Sequence, residues 1–384
     1  MPRIPPLQAV SAGLLTAFVG FASSFAVVLQ GLGAVGADPA QAASGLMALS
    51  VAMGLCGVLL SWHYRMPVSI AWSTPGAALL ASSAMPEGGF AVAVGAFLVA
   101  GLLVIAAGAI RPLGRLIAAI PPSIANGMLA GVLLPLCLAP VRAVAEMPAA
   151  GLAIVLVWLL VGRWKRLMAV PAAAIVAILL IVLGLPDGAL SGSLLPAPTL
   201  TAPAFQLAGL LGIALPLFLV TMASQNIPGL AVLSVNGYRP EPGPLFAATG
   251  LLSLVSAPFG GHAVNLSAIT AALCAGPDAG PDPQRRWWAA AVAGAGYVVF
   301  GLAAGAVTAL AGVSPLLVQA VAGLALIGAF SMSIAAALSD PGERDAAAVT
   351  FVVTASGLTV AGVSAAFWGL LAGAAVLLLA RWRA

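Results

Sequence analysis

Two neighbouring amides, Gln225 and Asn226, stand beside a Pro-Gly interruption in the run Met222-Ala-Ser-Gln-Asn-Ile-Pro-Gly229, deep in an apolar stretch. An amide NH2 donates two hydrogen bonds, so this pair has the chemistry to hold a ligand carboxylate, or else to stitch one helix to another. Asn265 offers the same two readings just before Ser267. Ser73 and Thr74, followed by Pro75 and Gly76, form a second polar start to an apolar run, with Trp72 before them as a ring face or as plain packing. Ser24 adds a hydroxyl in the first apolar run, with Ser23 and Gln30 as weaker candidates. His262 is the one imidazole placed deep; it is either a neutral histidine hydrogen-bonded near the membrane edge or a proton-coupling group. Every acidic residue, from Asp38 and Glu87 to Glu343 and Asp345, falls in an expected loop. No acid pair, nucleophile with its base, or metal cluster is placed at depth, which disfavours an enzyme. Cys56, Cys137 and Cys274 lie too far apart to form a disulfide framework or metal site and read as small buried hydrophobes.

The setting of these residues is lipid. Of 384 residues, 62% are hydrophobic and 6% charged, against about a quarter charged in soluble domains. Breaks at Pro, Gly and charged residues leave apolar stretches over 8–33, 39–62, 67–84, 89–110, 120–141, 147–162 and 167–185. After a connection from Pro186 to Pro203 they resume over 205–235, 243–258, 261–276, 287–309, 314–337, 346–361 and 363–380. The expectation is an all-α polytopic membrane protein of about fourteen transmembrane elements. The start, Met-Pro-Arg-Ile-Pro-Pro, is read as carrying no signal peptide. The net charge of +4 includes no basic run, so nucleic acid is not an expected partner; membrane lipid is.

Orientation follows from the cations, which concentrate in cytoplasmic loops. With the N-terminus inside, Arg3, Arg65, Arg111, Arg115, Arg163, Lys165, Arg166, Arg239, Arg285, Arg286, Arg344, Arg381 and Arg383 all fall inside, and Arg142 falls outside. This favours seven plus seven spans with both termini cytoplasmic, in the inner membrane of a bacterium. An odd number per half makes any internal repeat an inverted one. Ser73-Thr-Pro-Gly-Ala-Ala-Leu-Leu-Ala81 and Ser267-Ala-Ile-Thr-Ala-Ala-Leu-Cys-Ala275 share the pattern S-x-x-x-A-A-L-x-A, each in the third element of its half.

Those third and tenth elements read as half strand and half helix. Pro67 to Trp72 is extended in character, and a helix from Ser73 to Ala84 would rise only about 18 Å, too little to span. Gly260 to Asn265 is likewise extended before a short helix opening at Ser267 and ending at Gly276-Pro277. Inversion makes both helix starts face the bilayer midplane. Free N–H groups and the helix dipole make such a centre an anion site without Lys or Arg, and paired broken helices point to a transporter.

At Ser73-Thr-Pro-Gly, Ser224-Gln-Asn-Ile-Pro-Gly229 and Gly261-His-Ala-Val-Asn-Leu-Ser267 the chain resembles the benzoate:proton symporter (benzoate membrane transport) family along essentially its whole length. That family is similar in architecture to nucleobase transporters. The resemblance implies a core domain from 1–119 and 204–311, a gate domain from 120–203 and 312–384, and an elevator-like core movement. It implies substrate contacts at Thr74, Gln225 and Asn265, a small aromatic acid as partner, and a proton gradient rather than a cofactor as driving force. Nucleobase relatives often carry glutamates where Gln225 and Asn265 stand, so the amides argue for an anionic cargo. A nucleobase or inorganic anion on the same scaffold, or an anion channel, stays open, as does a homodimer.

Overall fold

A computed structural model describes residues 5–110, 121–184, 195–267 and 270–383. Arg3, Arg111, Arg115 and Asp187, residues 268 and 269 of the repeated pattern, and 186–194 of the long connection lie outside the described residues. The chain is a polytopic helical protein. Its elements are α1 (Leu7–Ala22), α2 (Phe25–Ala34), α3 (Pro39–Tyr64), β1 (Ile70–Trp72), α4 (Thr74–Ala81), α5 (Phe90–Ala109), α6 (Pro122–Cys137), α7 (Ala139–Glu146), α8 (Pro148–Trp164) and α9 (Ala169–Leu183). There follow α10 (Leu207–Val235), α11 (Pro242–Ser256), β2 (Val264–Leu266), α12 (Ala271–Ala275), α13 (Trp287–Leu302), α14 (Ala304–Val313), α15 (Pro315–Ala337), α16 (Arg344–Ala355) and α17 (Ala365–Arg383). Among the described residues eight helices are long and apolar enough to cross a bilayer, or nine if the pair Pro283–Leu302 and Ala304–Val313, bent by 56°, counts as one.

Local chemistry explains the boundaries. Asp38 caps α3 reciprocally: its carboxylate accepts the Gln41 N–H at 2.8 Å, and Gln41 Oε1 accepts the Asp38 N–H at 3.0 Å. Two stretches expected to be continuous are broken. The run 8–33 breaks at Ser23-Ser24, where both hydroxyls donate back to the Gly20 carbonyl, at 3.4 and 2.9 Å, and compete with the helical bonding of that turn. The run 287–309 bends at Ala303, whose N–H closes a tighter turn onto the Phe300 carbonyl at 3.0 Å.

Packing separates the helices into two groups. One contains the pairs α3–α13, α5–α11, α1–α13 and α2–α4; the other contains α6–α15, α16–α17, α6–α16 and α8–α9. Backbones meet closely where α3 crosses α13: a Cβ on Gly54 or on Gly294 would lie 2.5 Å from the other's carbonyl oxygen.

Within the first group β1 and β2 pair antiparallel, Ile70 opposite Leu266, Ala71 opposite Asn265 and Trp72 opposite Val264. Ser73 N–H to Ala263 O (3.0 Å) and Ser267 N–H to Ser69 O (2.9 Å) extend the ladder at both ends. Two extended segments tolerate this buried position because each supplies the other's hydrogen bonds where water does not. The helices that follow them are shorter than expected: α4 has eight residues and α12 has five.

Candidate functional site

Where the two strands give way to helices lies a small cleft lined by Gly20, Ser23, Ser24, Met53, Ala71, Trp72, Thr74, Gln225, Ser267, Thr270 and Tyr297. Five of the residues expected to form a site meet here: Ser24, Trp72, Thr74, Gln225 and Ser267. The other four, Ser73, Asn226, His262 and Asn265, are buried outside its lining.

Ser73 acts as the N-cap of α4. Its hydroxyl accepts the Gly76 N–H at 3.1 Å and the Thr221 hydroxyl at 2.9 Å, while its carbonyl accepts the Ala77 N–H at 2.7 Å. Pro75 has no N–H, so Thr74 is left as the first-turn donor of this helix start. Trp72 is nearly fully buried, its indole N–H donating to Ser24 Oγ at 2.9 Å and its ring edge meeting Phe21 at 5.6 Å. Ser24 therefore orients Trp72 as well as lining the cleft.

A π-helical turn over Met222–Asn226 inserts an extra residue into α10 and turns the two amides to different partners. Gln225 goes to the cleft. Asn226 goes to β2, where its Oδ1 accepts the Leu266 N–H at 2.9 Å and its Nδ2 lies 3.2 Å from Met222 Sδ. Gly229 completes that docking, because a Cβ there would come within 2.7 Å of the Leu266 Cβ. The helix-stitching reading thus describes Asn226.

Asn265 is fully buried, and among the described residues neither its Oδ1 nor its Nδ2 has a hydrogen-bond partner. It stands opposite Ala71, on the sheet face shared with that cleft residue. His262 ties the crossing together, Nε2 lying 2.9 Å from the Ser73 carbonyl. A carbonyl only accepts, so Nε2 carries the proton and donates; Nδ1 has no partner. Gln30 lies on α2 outside the cleft lining, its Oε1 also unpaired.

Thr270 and Tyr297 were not singled out in the sequence. Thr270 Oγ1 lies 2.6 Å from Ser267 Oγ and 3.3 Å from Ser69 Oγ, and the Thr270 N–H donates to Ser267 Oγ at 3.0 Å. The signal was a hydroxyl inside the repeated S-x-x-x-A-A-L-x-A pattern. Tyr297, on α13, donates to the Thr16 carbonyl at 3.2 Å; a lone phenol in an apolar run was its only mark. Among the described residues no group of three or more His, Cys, Asp or Glu could hold a metal ion. The cleft lining therefore combines hydroxyls and an amide with the apolar surfaces of Met53, Trp72 and Tyr297.

Residues 4–379 match the family described as benzoate membrane transport protein. The chain is 42% identical over 374 residues to the inner membrane protein YdcO of Escherichia coli (strain K12), covering 96% of this chain and 95% of that one. It is 32% identical over 376 residues to the benzoate membrane transport protein of Acinetobacter baylyi (strain ATCC 33305 / BD413 / ADP1), covering 96% and 93%. In fold it is similar to the transmembrane domain of a cyanobacterium bicarbonate transporter, BicA, with a TM-score of 0.59 and 19% identity over 97% of this chain and 96% of that one. The chain is a membrane transport protein and belongs to the benzoate membrane transport protein family.

Proposed function

We propose that this protein is a secondary active transporter importing benzoate or a similar aromatic carboxylate by proton symport. The observation that carries the reading is the cleft at the strand crossing, which brings hydroxyls, the Gln225 amide and the α4 start together with Met53, Trp72 and Tyr297. A planar aromatic acid combines the same two chemistries. Its carboxylate would take hydrogen bonds from Gln225, Thr74 and Ser267, and its ring would lie against Trp72, which Ser24 orients. Ser73 and Asn226 hold the helix start and β2 in place for those contacts, and the unpaired Asn265 amide is the nearest reserve donor on the same sheet face.

The larger frame is proposed with it. Eight spanning helices, the bent pair, the two shorter apolar helices Pro148–Trp164 and Ala365–Ala380, α16 and the two strand-helix elements give fourteen elements in two inverted repeats. The two packing groups support a core of 1–119 and 204–311 moving as an elevator against a gate of 120–203 and 312–384. The frame lies in the inner membrane with both termini cytoplasmic.

The test is uptake of labelled benzoate into proteoliposomes, with and without an inward proton gradient and corrected for empty-liposome diffusion. Accumulation that collapses with a protonophore is expected; flux that only equilibrates would make the protein a uniporter or channel. Gln225→Ala should lower uptake by about 10-fold or more, the weight of a hydrogen bond to a charged group. The proton travels either on the substrate's own carboxyl group or on His262. His262→Gln that keeps pH-driven accumulation assigns it to the substrate.

A further inference from the structure

We propose that Gly20 and Tyr297 act as a pair that sets the width of the cleft and so restricts it to single-ring acids. The inference rests on the reading that this cleft holds the substrate. Gly20 lies on α1 and Tyr297 on α13, and both line the cleft. The two helices run in close contact: a Cβ on Gly13 would lie 2.5 Å from the Ala289 carbonyl oxygen, and one on Gly296 would lie 2.7 Å from the Ala17 Cβ. Tyr297 is 2% exposed, and its hydroxyl donates to the Thr16 carbonyl one turn before Gly20.

That hydrogen bond lays the phenol directly over the bare Cα of residue 20. A Cβ there would come within 2.1 Å of the Tyr297 hydroxyl oxygen, 3.0 Å of its Cζ and 3.2 Å of its Cε1. The first distance is a collision; the other two yield to a shift of a few tenths of an ångström. No side chain at position 20 other than hydrogen is compatible with a tyrosine in this position. The phenol is thus pinned at its tip by a carbonyl and seated on a glycine. Beside Trp72 and Met53, it becomes a fixed wall. A wall held at both ends does not retreat for a larger ring.

The experiment compares benzoate and 2-naphthoate uptake in proteoliposomes for the wild type, Gly20→Ala, Tyr297→Phe, the double variant and Tyr297→Ala, each checked for monodispersity and thermal midpoint. Gly20→Ala should lower benzoate uptake by about 10- to 100-fold, the scale of overpacking by one methyl group. Tyr297→Phe should lower it by about fivefold, the share of one hydrogen bond. The double variant should recover to the level of Tyr297→Phe, because the colliding oxygen is gone. Tyr297→Ala should admit 2-naphthoate, which the wild type rejects. Normal benzoate uptake in Gly20→Ala, a folded double variant no better than Gly20→Ala, or a folded Tyr297→Ala that still rejects 2-naphthoate overturns the pair as a width gate while the transport reading stands. A wild type that moves no aromatic acid overturns both.

Discussion

The two strand-helix elements share a topology and close it in opposite ways. In the first, Ser73 is held through its N–H, carbonyl and hydroxyl: its N–H reaches Ala263, its carbonyl accepts from Ala77 and His262, and its hydroxyl accepts from Gly76 and Thr221. In the second, Ser267 and Thr270 pair their hydroxyls, but the Asn265 amide just before them has no partner among the described residues. The second element is held instead at its far end, where Arg286 donates to the Ala275 carbonyl at 2.9 Å and to the Gly280 carbonyl at 2.7 Å. A cation at a helix C-terminus suits both the free carbonyls and the dipole. Around Ser73 the first element is therefore scaffold. The other keeps a buried polar group in reserve, which costs stability and persists where function uses it.

The largest effect that would break this contrast is expected at Ser73. Ser73→Ala removes one oxygen and strands two buried donors, the Gly76 N–H and the Thr221 hydroxyl. Each stranded group costs about 1–3 kcal/mol, so a loss of about 2–6 kcal/mol should follow, read as a lowered unfolding midpoint in detergent. A loss under about 1 kcal/mol, the net worth of a single ordinary hydrogen bond, would mean that the first half is no more saturated than the second.

The opposite sign is expected at Asn265. Asn265→Leu keeps nearly the same shape and deletes an amide that makes no bond, so stability should rise by about 1–2 kcal/mol. Uptake should fall in the same protein. A stabilised variant with full uptake would leave the unpaired amide without a use; a destabilised one would show that the amide is satisfied in the folded protein, and the contrast between the halves would disappear.

The legible parts of this architecture are those written locally. Pro67 and the β-branched residues after it announce an extended segment, and Ser73-Thr74-Pro75 announces a helix start, because a cap acts within four residues. The pairing of β1 with β2 is a contact between segments nearly two hundred residues apart, and neither carries a turn signal that names its partner. The break at Ser23-Ser24 has no Pro or Gly; hydroxyl back-bonding produces it, and serine in a membrane helix is too ordinary to flag it. Gln225 and Asn226 were equal candidates on paper because a regular helix and a π turn cannot be told apart by spacing. The turn decides which amide faces the cleft. Gly20 and Tyr297 meet only because α1 packs on α13, and nothing in either segment alone connects them.

The smallest effect concerns the support under the second element, outside the membrane-spanning segments. Tyr238 packs with Leu233 and Ala275 at the end of α12, and its hydroxyl donates to the Pro283 carbonyl at 2.7 Å. Burial is the main reason its pKa is raised above the ordinary phenol value; Asp282 adds to the rise and Arg286 opposes it. The folded protein thus prefers the neutral phenol more than the unfolded chain does. The stability this contributes is complete below the unfolded value of about 10 and is lost as pH climbs through the raised folded value, when the buried phenol ionises and can no longer donate. Tyr238→Phe lacks the titrating group, so subtracting its unfolding midpoint from that of the wild type cancels every other group that ionises at high pH. The difference should be flat from neutral pH to about 9 and then move against the wild type above about 10. Parallel curves across the whole range would place the phenol in a solvent-like setting, and the second element would then depend on Arg286 alone for its anchorage.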